Sequence, residues 1–144
     1  MTRRNTALLA LLVWLVAATA MAERLTVTAA VANIRTGPGT GYDVGWKVER
    51  YHPIRVVEKR GVWYRFVDYA GDSGWVHRSL LGKVPAVITR KKLCNIRTGP
   101  GQNNAVSQTI EDGIPFKLLR KKGRWLHIEH ADGDRGWIHN SLVW

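Results

Sequence analysis

The sequence has few of several things. It holds one cysteine, Cys94, in 144 residues. An intramolecular disulfide is excluded, and so is a metal site built on several cysteines. Cys94 falls in an apolar, strand-like stretch where the related position is Ala32, so it reads as a buried thiol. Acids are scarce: 11 Asp and Glu stand against 22 Lys and Arg, for a net charge of +11. Paired carboxylates for acid–base chemistry do not recur, nor does a Ser-His-acid arrangement, so no catalytic centre is expected. His127, His130, Asp132 and Asp134 lie close in sequence but match no ligand spacing for a metal, and no cofactor is expected. Beyond the N-terminus no 10-residue stretch has helical periodicity. A helical or α/β fold is therefore excluded for most of the chain.

The single long apolar run lies at the start. Met1-Thr2-Arg3-Arg4 is basic, residues 7–18 are nearly all apolar, and Ala20-Met21-Ala22 is a small-x-small signal before Glu23. This order reads as a secretory signal peptide over 1–22 with cleavage after Ala22. The run is shorter than the roughly 18 residues of a spanning helix. A periplasmic or secreted protein is expected. Residues 1–22 contain two Arg and no acid, so the remainder carries a net charge of +9. A basic exported protein is drawn to anionic envelope polymers and membrane surfaces. The clusters Arg90-Lys91-Lys92 and Arg120-Lys121-Lys122-x-Arg124 read as solvated turns, with contact to an anionic envelope polymer as the functional alternative. Export makes nucleic acid an unexpected partner.

What is present is a duplication. Asn33-Ile34-Arg35-Thr36-Gly37-Pro38-Gly39 returns unchanged as Asn95-Ile96-Arg97-Thr98-Gly99-Pro100-Gly101, an offset of 62 residues. Residues 31–82 align with 93–144 without a gap and with 20 identities, mostly Gly, Pro, Trp and alternating apolar sites. Those are the positions a fold needs. Short alternating segments separated by turns predict an all-β fold of two small barrels. Strands are expected at 25–28, 44–48, 53–58, 63–67 and 75–77 and at their counterparts. Turns are expected at Lys59-Arg60-Gly61, Lys121-Lys122-Gly123 and the Gly-Asp-x-Gly segments. The domain plan is 1–22 signal peptide, 23–82 first barrel, 83–86 linker and 87–144 second barrel.

In the strand 63–67, Tyr64 and Phe66 share one face, as do Leu126 and Ile128 in 125–129. That face is the core, so Trp63 and Trp125 point outward. An outward Trp is a large rigid contact surface of the kind that anchors binding. His77 and His139 share a face with Trp75 and Trp137 by alternation. They are candidates either for a ligand contact or for a hydrogen bond to the following turn. Arg35 and Arg97 carry stems able to pack on a Trp. Tyr42 and Tyr51 lie in loops of the first unit, where the second has Asn104 and Gly113.

The combined pattern resembles the bacterial Src-homology-3-like (SH3b) family. Its marks are Asn-Ile-Arg-Thr-Gly-Pro-Gly, Gly-x-Trp-x-x-apolar, and Gly-Asp-x-Gly-Trp-(Val/Ile)-His-x-Ser-Leu, each present twice. The resemblance covers 25–82 and 87–144. It implies two compact barrels and an extracytoplasmic, non-catalytic role, usually binding peptidoglycan or its peptides, often beside a hydrolase. These 144 residues contain no hydrolase domain, so targeting is expected to act through a partner. An adaptor or regulator of an envelope enzyme or transporter is the alternative, and the protein is expected to be a monomer. In eukaryotic relatives of the fold a Trp at the position of Trp63 lines a peptide groove, and a Pro stands where His77 and His139 are. The resemblance therefore implies Trp63, Trp125, His77, His139, Tyr42, Tyr51, Arg35 and Arg97 as ligand-binding candidates, with two sites on one chain able to raise avidity.

Overall fold

A computed structural model describes residues 22–144. The signal-peptide reading over 1–22 falls, but for Ala22, outside that range. Among the described residues no helix is long and apolar enough to cross a membrane.

Seven strands make the first unit: β1 Glu23–Val27, β2 Val31–Arg35, β3 Val44–Glu49, β4 Pro53–Arg60, β5 Trp63–Val67, β6 Ser73–His77 and the short β7 Leu81–Gly82. Six make the second: β8 Ala86–Ile88, β9 Cys94–Arg97, β10 Val106–Ile110, β11 Pro115–Lys122, β12 Trp125–Glu129 and β13 Arg135–His139. The sheet orders are β3-β2-β6-β5-β4-β1-β7 and β10-β9-β13-β12-β11-β8. They are the same order in two copies. Neighbouring strands in both sheets are antiparallel, and β7 closes the first barrel by pairing Gly82 with Thr26. In the second barrel Trp144 takes the place of Gly82 and exchanges two main-chain hydrogen bonds with Ile88. Ala86 already belongs to β8, so the connection shortens to 83–85.

The basic segments 59–60 and 121–122 are strand rather than turn. β4 runs on to Arg60 and β11 to Lys122, and the tight turns are Gly61-Val62 and Gly123-Arg124. Gly61 and Gly123 both have φ of 59°, a conformation glycine accepts without a Cβ clash. Lys and Arg read as turn residues because they are charged, but here they continue the strand, with Lys59 paired to Glu23 and Arg60 to Glu58.

Each barrel closes on one apolar core. The first is built on Val27, Ile34, Ile54, Phe66 and Val76, and the second on Ile96, Phe116, Leu126, Ile128 and Ile138. Each barrel holds one of the chain's two Phe, at different equivalent positions. The first core has Ile54 and Phe66 where the second has Phe116 and Ile128, all buried. The exchange conserves total volume, the kind of change cores tolerate best. Cys94 is fully buried, its Sγ donates to Lys91 O at 3.3 Å, and burial pushes its thiol pKa up.

The barrels meet along a seam on either side of the 83–85 connection. The Arg24 guanidinium donates to Ala86 O and Trp144 O at 3.0 and 3.1 Å. Its carbon sits 4.2 Å from the Trp144 ring centroid, a cation–π distance. Arg55 approaches the same ring at 5.5 Å. Leu118 N donates to Pro85 O at 2.9 Å. On another side of the junction His130 Nε2 of the second barrel lies 3.7 Å from Glu49 Oε1 of the first.

Candidate functional site

A groove occurs at the same place on each barrel. The first is lined by Val31, Asn33, Arg35, Thr40, Trp63, His77, Ser79 and Leu80 and has a volume of about 510 Å³. The second, of about 320 Å³, is lined by Leu93, Asn95, Arg97, Gln102, Trp125, His139, Ser141 and Leu142. Every residue of one list is 62 positions from its counterpart in the other. Such volumes lie at the low end for ligand sites, and suit a short extended ligand better than an enclosed cofactor.

The fold explains the convergence. Antiparallel register sets Trp63 opposite His77 and Arg65 opposite Trp75, while Arg35 faces Trp75 from the other side. With alternation along each strand, Trp63, His77 and Arg35 share the outer face, and Phe66 and Val76 the inner one. Trp63 stands edge-on to His77 with centroids 5.2 Å apart; Trp125 and His139 repeat this at 5.3 Å. The neighbouring Trp75 and Trp137 are buried. Arg60 lies over Trp75 at 5.5 Å, Arg120 over Trp137 at 5.1 Å, and His127 stacks flat on Trp137 at 4.6 Å. Burial, Arg120 and Arg135 all depress the His127 pKa, in that order. The half-exposed Trp63 and Trp125 carry no such cap and face the groove.

His77 has a second task. Its Nδ1 accepts from Ser79 N at 3.1 Å and lies 2.7 Å from Ser79 Oγ, capping the 3₁₀ turn 78–80. His139 does the same for Ser141. An Nδ1 that accepts from an amide leaves the proton of the neutral ring on Nε2. The imidazole is thereby fixed in place and tautomer, with Nε2–H as a donor.

Arg35 clamps a loop. Its guanidinium donates to Thr40 O and Tyr42 O at 3.3 and 3.0 Å, and Arg97 donates likewise to Gln102 O and Asn104 O. The heptapeptide loop is further pinned by Thr36 N to Asp43 O, matched by Thr98 N to Ala105 O, both 3.0 Å. The repeated heptapeptide thus shapes one wall of the groove through turn chemistry.

Tyr42 and Tyr51 lie outside both groove linings. The Tyr42 ring packs on Gly37, where a Cβ would collide with it. In the second barrel the Asn104 side chain covers Gly99 in the same way. Tyr51 sits in the turn between β3 and β4 with φ of 73°, a left-handed conformation unusual for a bulky residue. Its counterpart Gly113 adopts the same φ without a side chain. Sequence reading missed Val31 and Leu93, which are 57% and 69% exposed at the groove rim. It also missed the groove positions of Ser79, Leu80, Ser141 and Leu142. Two signals pointed there: Val31 is in phase with Asn33 and Arg35, and His-x-Ser-Leu recurs unchanged. Among the described residues no group of three or more His, Cys, Asp or Glu is placed to hold a metal ion.

Comparison with known proteins places these features. A Bacillus subtilis protein named "Putative N-acetylmuramoyl-L-alanine amidase YrvJ" is 23% identical over 122 residues, covering 77% of this chain and 23% of that protein. The "Probable cell wall amidase LytH" of Staphylococcus epidermidis is 36% identical over 59 residues, 38% of this chain and 20% of the relative. The chain therefore spans about a quarter or less of the length of these relatives. A crystal structure of an NlpC/P60 family protein from Bacillus cereus overlaps 85% of this chain and 56% of its own, at 12% identity and a TM-score of 0.40. The family model described as the bacterial SH3 domain matches residues 28–83 and again 90–144. Two matches in tandem, each spanning one barrel and one groove, make this chain a member of the bacterial SH3 domain family.

Proposed function

We propose that the protein is a non-catalytic, extracytoplasmic binding module that recognises peptidoglycan, through its stem peptides, at the two equivalent grooves. The observation that carries this reading is the eight-for-eight correspondence of the groove linings, each with an uncapped Trp and an exposed aliphatic rim residue. A surface feature retained in both copies, while other surface positions drifted, is the part of the barrel that two ligand contacts would use. Each groove offers a flat apolar wall in Trp63 or Trp125, a fixed N–H donor in His77 or His139, and an Asn amide. That set suits a peptide with alternating apolar and carbonyl groups. The two relatives named as amidases match within the double-barrel region, which supports a cell-wall setting. The net positive charge would concentrate the protein at anionic wall polymers before the grooves engage.

Titration with soluble muropeptides, followed by NMR, tests the reading. The indole N–H signals of Trp63 and Trp125 are expected to shift saturably. Unmoved indoles at millimolar ligand, alongside capture of an envelope protein at the same grooves, would replace it with the adaptor reading.

A further inference from the structure

The chain has twice as many cations as acids, yet one recess breaks that balance. It lies at the junction of the barrels and holds about 410 Å³. Trp46, His52 and Tyr69 provide its aromatic walls, Glu49, Asp68 and Asp72 its carboxylates, and Gly113 of the second barrel reaches its edge. Lys47 is the only Lys or Arg lining it. The equivalent recess on the second barrel, 62 positions on, carries Glu111, Asp132 and Asp134. Six of the chain's 11 acids thus line two adjoining hollows. Among the described residues no Lys or Arg forms an ion pair with Glu49, Asp68 or Asp72. Acids placed for stability in so basic a chain would find cationic partners readily.

A second observation comes from His52. Its side chain is only 9% exposed, and its Nε2 has no hydrogen-bond partner. That atom faces Asp68 Oδ2 at 3.6 Å, beyond hydrogen-bonding range. Asp68 Oδ1 is already taken by the main-chain N–H groups of Ala70 and Asp72, both at 3.0 Å. The buried imidazole and the buried carboxylate thus face one another just beyond hydrogen-bonding range, and both residues line the recess. The Tyr69 ring meets His52 edge-on at 6.2 Å, and its hydroxyl lies against Gly113, so that a Cβ there would sit 2.6 Å away.

We propose that this recess is a second binding site, for the primary ammonium group of a peptide side chain or terminus. The chemistry is complementary at each point. Aromatic faces attract a cation through their quadrupoles. Carboxylates accept its three N–H donors. Burial favours the neutral form of His52, which adds no positive charge to repel the ammonium. The duplication sharpens the assignment to one barrel. Where the first has Trp46, His52 and Tyr69, the second has Gln108, Ile114 and Ala131, so these three walls are not repeated and the equivalent recess is lined instead by Phe116 and His130. The site differs from the paired grooves in place and in charge, and its Trp, His and Tyr walls occur only in the first barrel.

The test uses two small probes and the full chain. Nα-acetyl-lysine amide carries a free ammonium, and its Nε-acetylated form does not. Saturable NMR shifts are expected at the Trp46 indole and the His52 ring with the first probe, with the Trp63 indole unmoved. The acetylated probe should give none. The double variant Glu49→Gln/Asp72→Asn should weaken binding at least fivefold while keeping native chemical-shift dispersion. The proposal is overturned by absence of saturable shifts at millimolar probe, by equal responses to both probes, or by unchanged affinity in the folded double variant. None of these results bears on muropeptide binding at Trp63 and Trp125, so the two readings stand or fall separately.

Discussion

At the scale of single residues, the two glycines Gly74 and Gly136 show how tightly the barrels close. A Cβ on Gly74 would collide with Ile34 Cγ2 and one on Gly136 with Ile96 Cγ2, both buried core side chains. Gly74→Ala should cost about 1–3 kcal/mol, the usual range for overpacking. Gly41→Ala, which meets no atom within 4 Å and needs no positive φ, should change stability by less than about 0.5 kcal/mol. Denaturant melts of the two variants check both values. His52 gives a pH dependence of definite sign. Burial is the largest influence and lowers its folded pKa below 6.5, although Asp68 and Glu49 pull the other way. Between that lowered value and 6.5 the unfolded chain binds more protons than the folded one. Stability is then full above about pH 6.5 and falls as pH drops toward the folded value. Thermal melts from pH 7.5 to 5.5 should show a falling Tm, and His52→Gln should flatten that slope. The carboxylates Glu23, Glu58 and Asp132, whose pKa values are depressed mainly by hydrogen bonds from Lys59, from Arg65, and from the Asp134 main chain, act only at more acidic pH.

At the scale of elements, strands were legible where a period-2 signal marks them, whereas β2 and β9, which hold the Asn-Ile-Arg of the heptapeptide, were not among the expected strands. Trp63-Tyr64-Arg65-Phe66 alternates so cleanly that inward and outward faces follow from the residues alone, and Phe66 is buried as that pattern requires. The Gly-Pro-Gly turn was legible because few other conformations accept it. The ends of β4 and β11 were not legible. Lys59-Arg60 and Lys121-Lys122 carry no apolar member to mark a face, and a hairpin arm beyond the core needs none. The groove was half legible. Trp63, His77 and Arg35 follow from strand phase, whereas Val31 and Leu93 sit at exposed edges where nothing in local sequence separates a groove rim from ordinary surface. Tyr42 and Tyr51 were candidates by residue type, and neither contributes to a groove lining. Tyr42 covers a glycine turn, and Tyr51 occupies a left-handed turn whose need for φ above zero shows only in its glycine counterpart.

At the scale of the molecule, duplication supplies two grooves and one seam. The seam was not legible, since it depends on how Arg24, Arg55 and Trp144 meet across some 120 residues of chain. Arg24→Ala removes two hydrogen bonds and a cation–π contact. It should lower stability by about 1–3 kcal/mol, read as a lower Tm in scanning calorimetry. Two grooves on one chain convert a second contact into an intramolecular one, so avidity on a polymer should exceed that of either groove alone. Charge alone predicts a different pattern, in which binding follows ionic strength and ignores the tryptophans. Sedimentation with purified insoluble peptidoglycan at moderate salt distinguishes the two. The wild-type chain is expected to sediment, Trp63→Ala or Trp125→Ala to weaken this by about tenfold, as for a binding hot spot, and the double variant to stay in the supernatant while still folded. Sedimentation of the folded double variant at wild-type levels, or failure of the wild-type chain to sediment at any salt, would contradict the groove reading.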